Sequence, residues 1–285
     1  MCPELADSQY GKSRIRLLKV ARFESRHMIH DWTVDISIRG DFAAAFEAGD
    51  NRNVLPTDTM KNTVYALAHG HADESMEPFA ARLGRHFLHE HPQISTLSVT
   101  VTGPAWEPIE AKGTTHPHAF RRRSGELRLA EVSGTRERTT VASGIGGLAV
   151  TKTAGSRFEG FVQDRFTTLA EERDRILATE INARWTYRDP DVDYDRSWER
   201  VRQALLERFA DHESASLQHT LHELADAALA ACDAIADIRI TLPNRHCLFV
   251  DLASFGLTND GEIFMPTEAP YGVIEARVIR PARDP

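Results

Sequence analysis

Hydrophobic positions along the chain follow two periodicities. In 31–39, Trp32, Val34, Ile36 and Ile38 alternate with polar residues. Leu97, Val99 and Val101 do so in 94–102, and Ile238, Ile240 and Leu242 repeat the pattern. Alternation puts one strand face on a core and leaves the other polar, which favours antiparallel sheet. In 126–132 the phase slips, because Leu127 and Leu129 share one parity and Ala130 and Val132 the other; a bulge is expected there. Helical spacing appears elsewhere. Phe79, Leu83 and Phe87 follow Ser75 as N-cap, with Pro78 in the first turn. Trp198, Val201, Leu205 and Phe209 form a second stripe. Leu217, Leu221, Leu224 and Ala228 form a third, capped by Ser214 or Ser216. These apolar residues are read as core.

The order of elements adds a second level. Helices at 57–70 and 75–91 precede strand 94–102, which ends in Pro104. A strand at 184–188 and helices at 195–211 and 214–233 precede strand 236–242, which ends in Pro243. A helix–helix–strand–Pro unit therefore occurs twice, half a chain apart, and predicts an internal duplication. Glycine density peaks at Gly144-Ile145-Gly146-Gly147, the expected junction.

Length and charge narrow the function classes. A chain of 285 residues buries a sizeable core and has room for two domains. Its 34 basic and 42 acidic residues give a net charge of −8, with no basic block. That argues against nucleic acid and anionic membrane as partners. No apolar run approaches the roughly 20 residues a membrane helix needs. Met1-Cys2-Pro3-Glu4-Leu5-Ala6-Asp7 lacks the basic and apolar regions of a secretory signal, so none is expected. Cys2, Cys232 and Cys247 are widely spaced without a CxxC, which excludes a disulfide framework and a thiolate zinc site and suits a reducing compartment.

Candidate chemistry is dispersed. The 13 histidines include the pairs His69/His71, His86/His89, His116/His118 and His219/His222. An H-x-H on a strand could present two imidazoles to a metal, but no H-E-x-x-H or other complete ligand set accompanies them, and surface or structural roles are the expectation. The glycine-rich segment lacks G-x-G-x-x-G spacing, and no G-x-S-x-G or P-loop occurs. Lys12 stands just ahead of a strand. Thr57-Asp58 opens a helix, where free backbone N–H groups can bind an anion; the plainer reading makes Thr57 an N-cap. Leu242-Pro243-Asn244-Arg245-His246 puts polar side chains straight after a strand. Arg175 follows Thr167-Thr168-Leu169 in a helical-looking stretch.

Together these segments resemble the urate oxidase (uricase) family, in its bacterial form. The matching blocks are Tyr10-Gly11-Lys12, Thr57-Asp58 with Lys61-Asn62-Thr63, His116-Pro117-His118-Ala119-Phe120 and Gly147-Leu148-Ala149-Val150. Further on come Phe158-Glu159-Gly160-Phe161, Thr167-Thr168-Leu169, Asp174-Arg175-Ile176-Leu177, Ser216-Leu217-Gln218 and Leu242-Pro243-Asn244-Arg245-His246. They run in order over nearly the whole chain. The Phe158–Arg175 and Pro243–His246 blocks are the most specific.

The resemblance implies an α+β chain of tandem tunnelling-fold (T-fold) domains, at 9–143 and 144–281. Each would be an antiparallel four-stranded sheet with two helices on one face. It also implies a cytoplasmic homotetramer with active sites at subunit interfaces. The implied activity is oxidation of urate by O2 and water to 5-hydroxyisourate and hydrogen peroxide. No metal or organic cofactor is implied, with O2 as co-substrate, because an ionised urate is itself electron-rich. Arg175 and Gln218 would hold opposite edges of the ring. Phe158 would stack on it, Leu169 would line the pocket, and the N–H groups of Asp58 and Leu217 would bind the substrate. Lys12 and Thr57 would form a proton relay that His246 extends. Asn244 would hold O2 above the ring.

Departures are few. Pro56 stands where alanine is frequent, Arg245 where lysine is, and Gln163 where arginine is; Glu159 sits beside Phe158. The ending Ala282-Arg283-Asp284-Pro285 is not a peroxisomal Ser-Lys-Leu signal. Two other readings stand beside the oxidase. One is a tunnelling-fold pterin- or purine-handling enzyme of different chemistry, and the other is a non-catalytic purine-binding homologue. Arg175 with Gln218 favours an anion of the urate type over the first, and retention of Lys12 and Thr57 argues against the second.

Overall fold

The alternating segments become strands longer than their apolar runs. The computed structural model describes residues 4–71, 73–189 and 191–281; Cys2 and the ending at 282–285 lie outside them. Two compact units divide the chain. The first comprises residues up to Gly144 together with Thr186–Asp195, and the second Ile145–Trp185 and the residues from Arg196 onward.

The first unit contains β1 (Tyr10–Arg22), β2 (His27–Gly40), a short α1 (Ala43–Glu47), α2 (Thr57–Ala68), α3 (Met76–Glu90), β3 (Ile94–Ala111) and β4 (Thr114–Gly134). Its strands lie in the order β1-β2-β3-β4, every neighbour antiparallel. α2 packs on β1, and α3 on β3 and β4. Their apolar stripes, with Val64, Phe79, Leu83 and Phe87 fully buried, meet Val34, Ile36, Val99 and Val101 from the sheet.

One irregularity in β1 matters for the site. Lys12 pairs with Ile36, whereas Ile15 pairs with Val34, so β1 carries one extra residue there. Directly opposed side chains share a sheet face, and a bulge resets parity. Tyr10 and Lys12 therefore point to the same side as Ile36 and Ile38, the side that α2 covers. Arg14, in the bulge, takes a left-handed conformation at φ 58°, and its N–H donates to the Asp35 carboxylate at 2.8 Å. Gly11 is required beside it, since a Cβ there would lie 1.8 Å from the Ile36 carbonyl oxygen.

β4 corrects the expected phase slip. Leu127 to Gly134 pair with Pro104 to Leu97 in unbroken register. The inward parity is Glu126, Arg128, Ala130 and Val132, and Leu127 faces outward at 39% exposure. Arg128 reaches the fully buried Glu77 of α3 at 2.8 Å. Burial pushes the Glu77 carboxyl upward, while Arg128 and a hydrogen bond from Ser143 oppose that. A buried ion pair on the core face resembles a lost phase in the sequence. The actual break lies just upstream, where residues 123–126 stand opposite Ala105. The same break lets β3 run through Pro104, where the sequence predicts its end: a proline cannot donate to the ladder but is tolerated at a bulge. β3 slips again after Pro108.

The second unit contains most of β5 (Thr139–Lys152), β6 (Leu177–Tyr187), α4 (Tyr194–Asp211), α5 (Leu217–Ala231), β7 (Ile235–Asn244), the small pair β8 (Cys247–Phe249) and β9 (Phe264–Pro266), and β10 (Gly272–Ile279). The strand order is β5-β6-β7-β10, and α5 packs on β7 and β10. Trp198, Val201, Leu205 and Phe209 of α4 are buried, as are Leu217, Leu221, Leu224 and Ala228 of α5. β7 also continues past its proline, to Asn244. Four strands and two long helices recur in each unit, in keeping with tandem tunnelling-fold α+β domains.

Candidate active site

A cavity of about 490 Å³ lies in the second unit, within the size range of small-molecule sites. Three segments of chain carry its polar groups, and Phe264 and Ile274 add apolar wall. The first is the connection between β5 and β6, which carries Phe158, Leu169 and Arg175. This stretch is not helical, contrary to its appearance in sequence. Its backbone groups are used in cross-chain pairs: Phe158 N–H donates to Glu172 O at 2.7 Å and Glu172 N–H to Phe158 O at 3.1 Å. Arg175 N–H donates to Ser156 O at 2.7 Å. These pairs bring Phe158 beside Arg175, whose guanidinium carbon lies 5.3 Å from the ring centroid. Phe161 stacks parallel to Phe158, with centroids 4.9 Å apart, and fixes that ring.

Arg175 is half-buried. Loss of water pushes its pKa below the ordinary guanidinium value, and Glu172 pulls it back up; the group remains charged. Its Nε is buried and has no hydrogen-bond partner among the described residues. A buried donor left unpaired is destabilising, and an acceptor on a bound ligand would relieve it.

The second segment is the start of α5. Ser216 is its N-cap and accepts from His219 N–H at 3.1 Å. Thr220 N–H donates to Ser216 O at 3.0 Å, and the Ser214 hydroxyl is tied to Thr220 and to Ser216 O. The N–H groups of Leu217 and Gln218 remain as the open donors of the helix end. Leu217 is buried at 2% exposure, so its side chain anchors the turn while Gln218 points outward. Both line the cavity.

The third segment leaves β7. Asn244, Arg245 and His246 line the same cavity. Arg245 N–H donates to Ala178 O at 3.0 Å, and its guanidinium pairs with Glu180 at 2.5 Å. Thr267 holds His246 O with its N–H at 2.9 Å and its hydroxyl at 3.1 Å. The backbone is thus pinned on both sides of Asn244 and His246, whose side chains make no hydrogen bond among the described residues. The arrangement can clamp a planar anion between a guanidinium, an amide, an aromatic face and two backbone donors.

Lys12, Thr57 and Asp58 belong to the first unit, and the cavity lining does not include them. They form a group of their own. Lys12 is close enough to Asp58 to help hold its carboxyl low, although the Lys61 hydrogen bond contributes more. The Asp58 carboxylate is engaged by Lys61 and, at 3.0 Å, by Asn62, so its backbone N–H is what it can offer a ligand. Thr57 is not the N-cap: Pro56 occupies that position and Thr57 is the first helical residue. A preceding proline favours this, because its fixed φ suits a helix entry and its missing N–H loses nothing there. Among the described residues the Thr57 hydroxyl makes no hydrogen bond.

Several lining residues had no signal in the sequence. Glu172 enters through its pairing with Phe158, and Phe249 and Phe264 through the β8–β9 pair, whose strands are too short to show alternation. The histidines sort differently. His69 follows α2 as its C-cap, not on a strand. His116 and His118 lie on β4 with ring centroids 4.6 Å apart, and His27 is 5.8 Å from His118. Among the described residues no group of three or more His, Cys, Asp or Glu is arranged to hold a metal ion, and no helix is long and apolar enough to cross a membrane.

Known proteins supply the remaining comparison. The pattern defining the Uricase family matches residues 8–133 and 141–275. The chain is 43% identical over 279 residues to a uricase of Arthrobacter globiformis, covering 97% of this chain and 90% of that protein. It is 35% identical over 284 residues to a uricase of Oryctolagus cuniculus, covering 97% and 95%. The crystal structure of the Arthrobacter globiformis uricase superposes with a TM-score of 0.93 at 40% identity, covering all of this chain and 98% of that one. Fold and sequence agree: the chain belongs to the uricase family and is an oxidoreductase of the urate oxidase kind.

Proposed function

We propose that this chain oxidises urate with O2 and water to 5-hydroxyisourate and hydrogen peroxide, without metal or organic cofactor. The observation that carries the reading is the convergence of Arg175, Phe158, Gln218 and the Leu217 N–H on one cavity. Arg175 presents a planar fork to the carbonyl and ring-nitrogen edge of a delocalised anion. Gln218 meets the opposite edge with an amide donor and acceptor. Phe158 covers a face of the ring and keeps water away. Leu169 closes the side, and Asn244 holds O2 above the ring.

Lys12 and Thr57 move the protons, and His246 extends the relay. Lys12 acts as the acid–base group, and the Thr57 hydroxyl passes a proton between it and a water over the substrate. Urate, once ionised, gives an electron to O2; a peroxide forms at C5 and hydroxide then replaces it. The Asp58 N–H completes the ligand's hydrogen bonds. Following the resemblance, we take the full site to form at subunit interfaces in a homotetramer. Domains at 9–143 and 144–281 and a cytoplasmic location complete the proposal.

The test is urate loss measured together with O2 uptake and peroxide release, on protein dialysed against a chelator. Equal consumption of urate and O2 with matching peroxide is expected. Turnover that appears only after a metal is restored would overturn the cofactor-free chemistry. Tight binding of a urate analogue with no turnover under any condition would overturn the oxidase.

A further inference from the structure

Lys12 and Thr57 sit on different elements, a strand and a helix start, yet a relay between them needs a fixed separation. Neither supplies one: among the described residues the two side chains make no hydrogen bond with each other, and α2 begins without a side-chain cap. Before Thr57, Pro56 has no N–H, and residues 48–54 are tied to other parts of the unit: Asp50 N–H donates to Ala44 O at 3.1 Å, the Asn53 amide to Asp41 at 3.0 Å and the Gln93 amide to Asn53 O at 3.1 Å. None of these reaches the strand that bears Lys12.

One side chain bridges the gap. The Tyr10 hydroxyl donates to Leu55 O at 3.2 Å and accepts from Leu55 N–H at 2.8 Å. Both backbone polar groups of Leu55 are thus used by one phenol, while the Leu55 side chain is buried at 6% exposure. Tyr10 lies two residues before Lys12, and Leu55 two residues before Thr57. Phe42, 1% exposed, packs edge-on against the ring with centroids 4.8 Å apart, an apolar contact that leaves the tie to the hydroxyl. Between Tyr10 and Lys12 stands Gly11, where the backbone approaches the Ile36 carbonyl too closely for any Cβ.

We infer that Tyr10 is a positioning residue for the oxidation: its hydroxyl locks the strand bearing Lys12 to the segment that leads into Thr57. The inference rests on the relay reading above, in which those two groups pass the proton. Tyr10 is not among the residues that line the cavity, so its loss is read chiefly in proton transfer, with the Asp58 N–H the one binding contact beyond the tie. Burial raises the phenol's pKa from its ordinary 10.0, and the hydrogen bond with Leu55 opposes this.

The experiment compares wild type, Tyr10→Phe and Phe42→Leu for kcat, KM, pH profile and melting temperature. Tyr10→Phe is expected to lower kcat roughly tenfold, within the ~10² that a misplacement of about 1 Å can cause, and to move the pH profile of kcat. KM for urate should stay within about twofold, because Arg175 and Gln218 are untouched. Phe42→Leu keeps the hydroxyl and should retain most of kcat even where its melting temperature falls further. An unchanged kcat in Tyr10→Phe, or an equal loss in Phe42→Leu, overturns the inference.

If Tyr10→Phe does not fold, a fluorinated tyrosine at position 10 substitutes for it. Its phenol ionises at lower pH and then cannot donate to Leu55 O. A new alkaline loss of kcat supports the tie, and a profile identical to wild type overturns it. Absence of urate oxidation by the wild type defeats the relay reading itself, which separates the two failures.

Discussion

α2 and α5 both begin with open backbone N–H groups, yet the chain finishes the two ends differently. At α5, Ser216 caps the helix, Ser214 and Thr220 brace the turn, and buried Leu217 anchors it. At α2 a proline takes the cap position, no side chain caps the helix, and the approach is held from outside by Tyr10. Groups that recognise a ligand gain from being over-determined, because freedom lost on binding weakens affinity. A group that passes a proton needs an uncommitted hydroxyl, and capping would consume it. On the proposed roles, local hydrogen-bond saturation separates the binding end from the reacting end.

The sharpest way to break this contrast is to remove one member from each group. Lys12→Met should lower kcat by at least ~10²-fold, the usual scale for an acid–base group, with binding of a urate analogue retained. Wild-type turnover in that variant would end the relay assignment. Arg175→Ala should act mainly on KM. Losing a charged hydrogen-bonding group of about 1.5–3 kcal/mol corresponds to roughly 10- to 150-fold weaker apparent affinity; titration with a urate analogue would detect this, and unchanged affinity would refute the role. Hybrids of these two variants should recover activity if each site draws on two copies, and demonstrated hybrids without recovery would oppose that arrangement.

The smallest expected effect concerns the brace behind α5. His212 is buried, its ring 4.7 Å from that of His219. Burial chiefly pushes its pKa below the ordinary 6.5; His219, Lys152 and Arg208 add to this and Glu223 opposes it. A histidine with a depressed folded pKa binds its proton more readily when unfolded. Its contribution to stability is therefore complete above pH 6.5 and falls as pH drops toward the folded pKa. Melting temperature should decline on acidification below that point, and His212→Gln should flatten part of the slope. His91, also depressed by burial, supplies a further part. An identical slope in the variant would exclude His212 as a contributor.

Periodicity located three of the four long helices and the strands β2, β3, β4 and β7, because amphipathic faces repeat at 3.6 or 2 residues where one side is buried. It misled at β4, where a buried Arg128–Glu77 pair occupies the core face. It also ended β3 and β7 at prolines that bulges and strand ends accommodate. For the site, the residue identities carried most of the information. The ordered blocks from Tyr10 to His246 named Lys12, Thr57, Arg175 and Gln218 before any geometry.

The sequence by itself determined which side chains are available and which elements carry them, since local pattern and residue type are properties of neighbours in the chain. Only the tertiary structure decided which of them meet. Phe158 joins Arg175 through a backbone pairing with Glu172, a residue of no sequence distinction. Lys12 faces α2 because one extra residue in β1 resets the parity of the strand. Tyr10 reaches Leu55 across 45 residues of chain. Contacts between residues far apart in sequence depend on register and packing, and no local pattern encodes them.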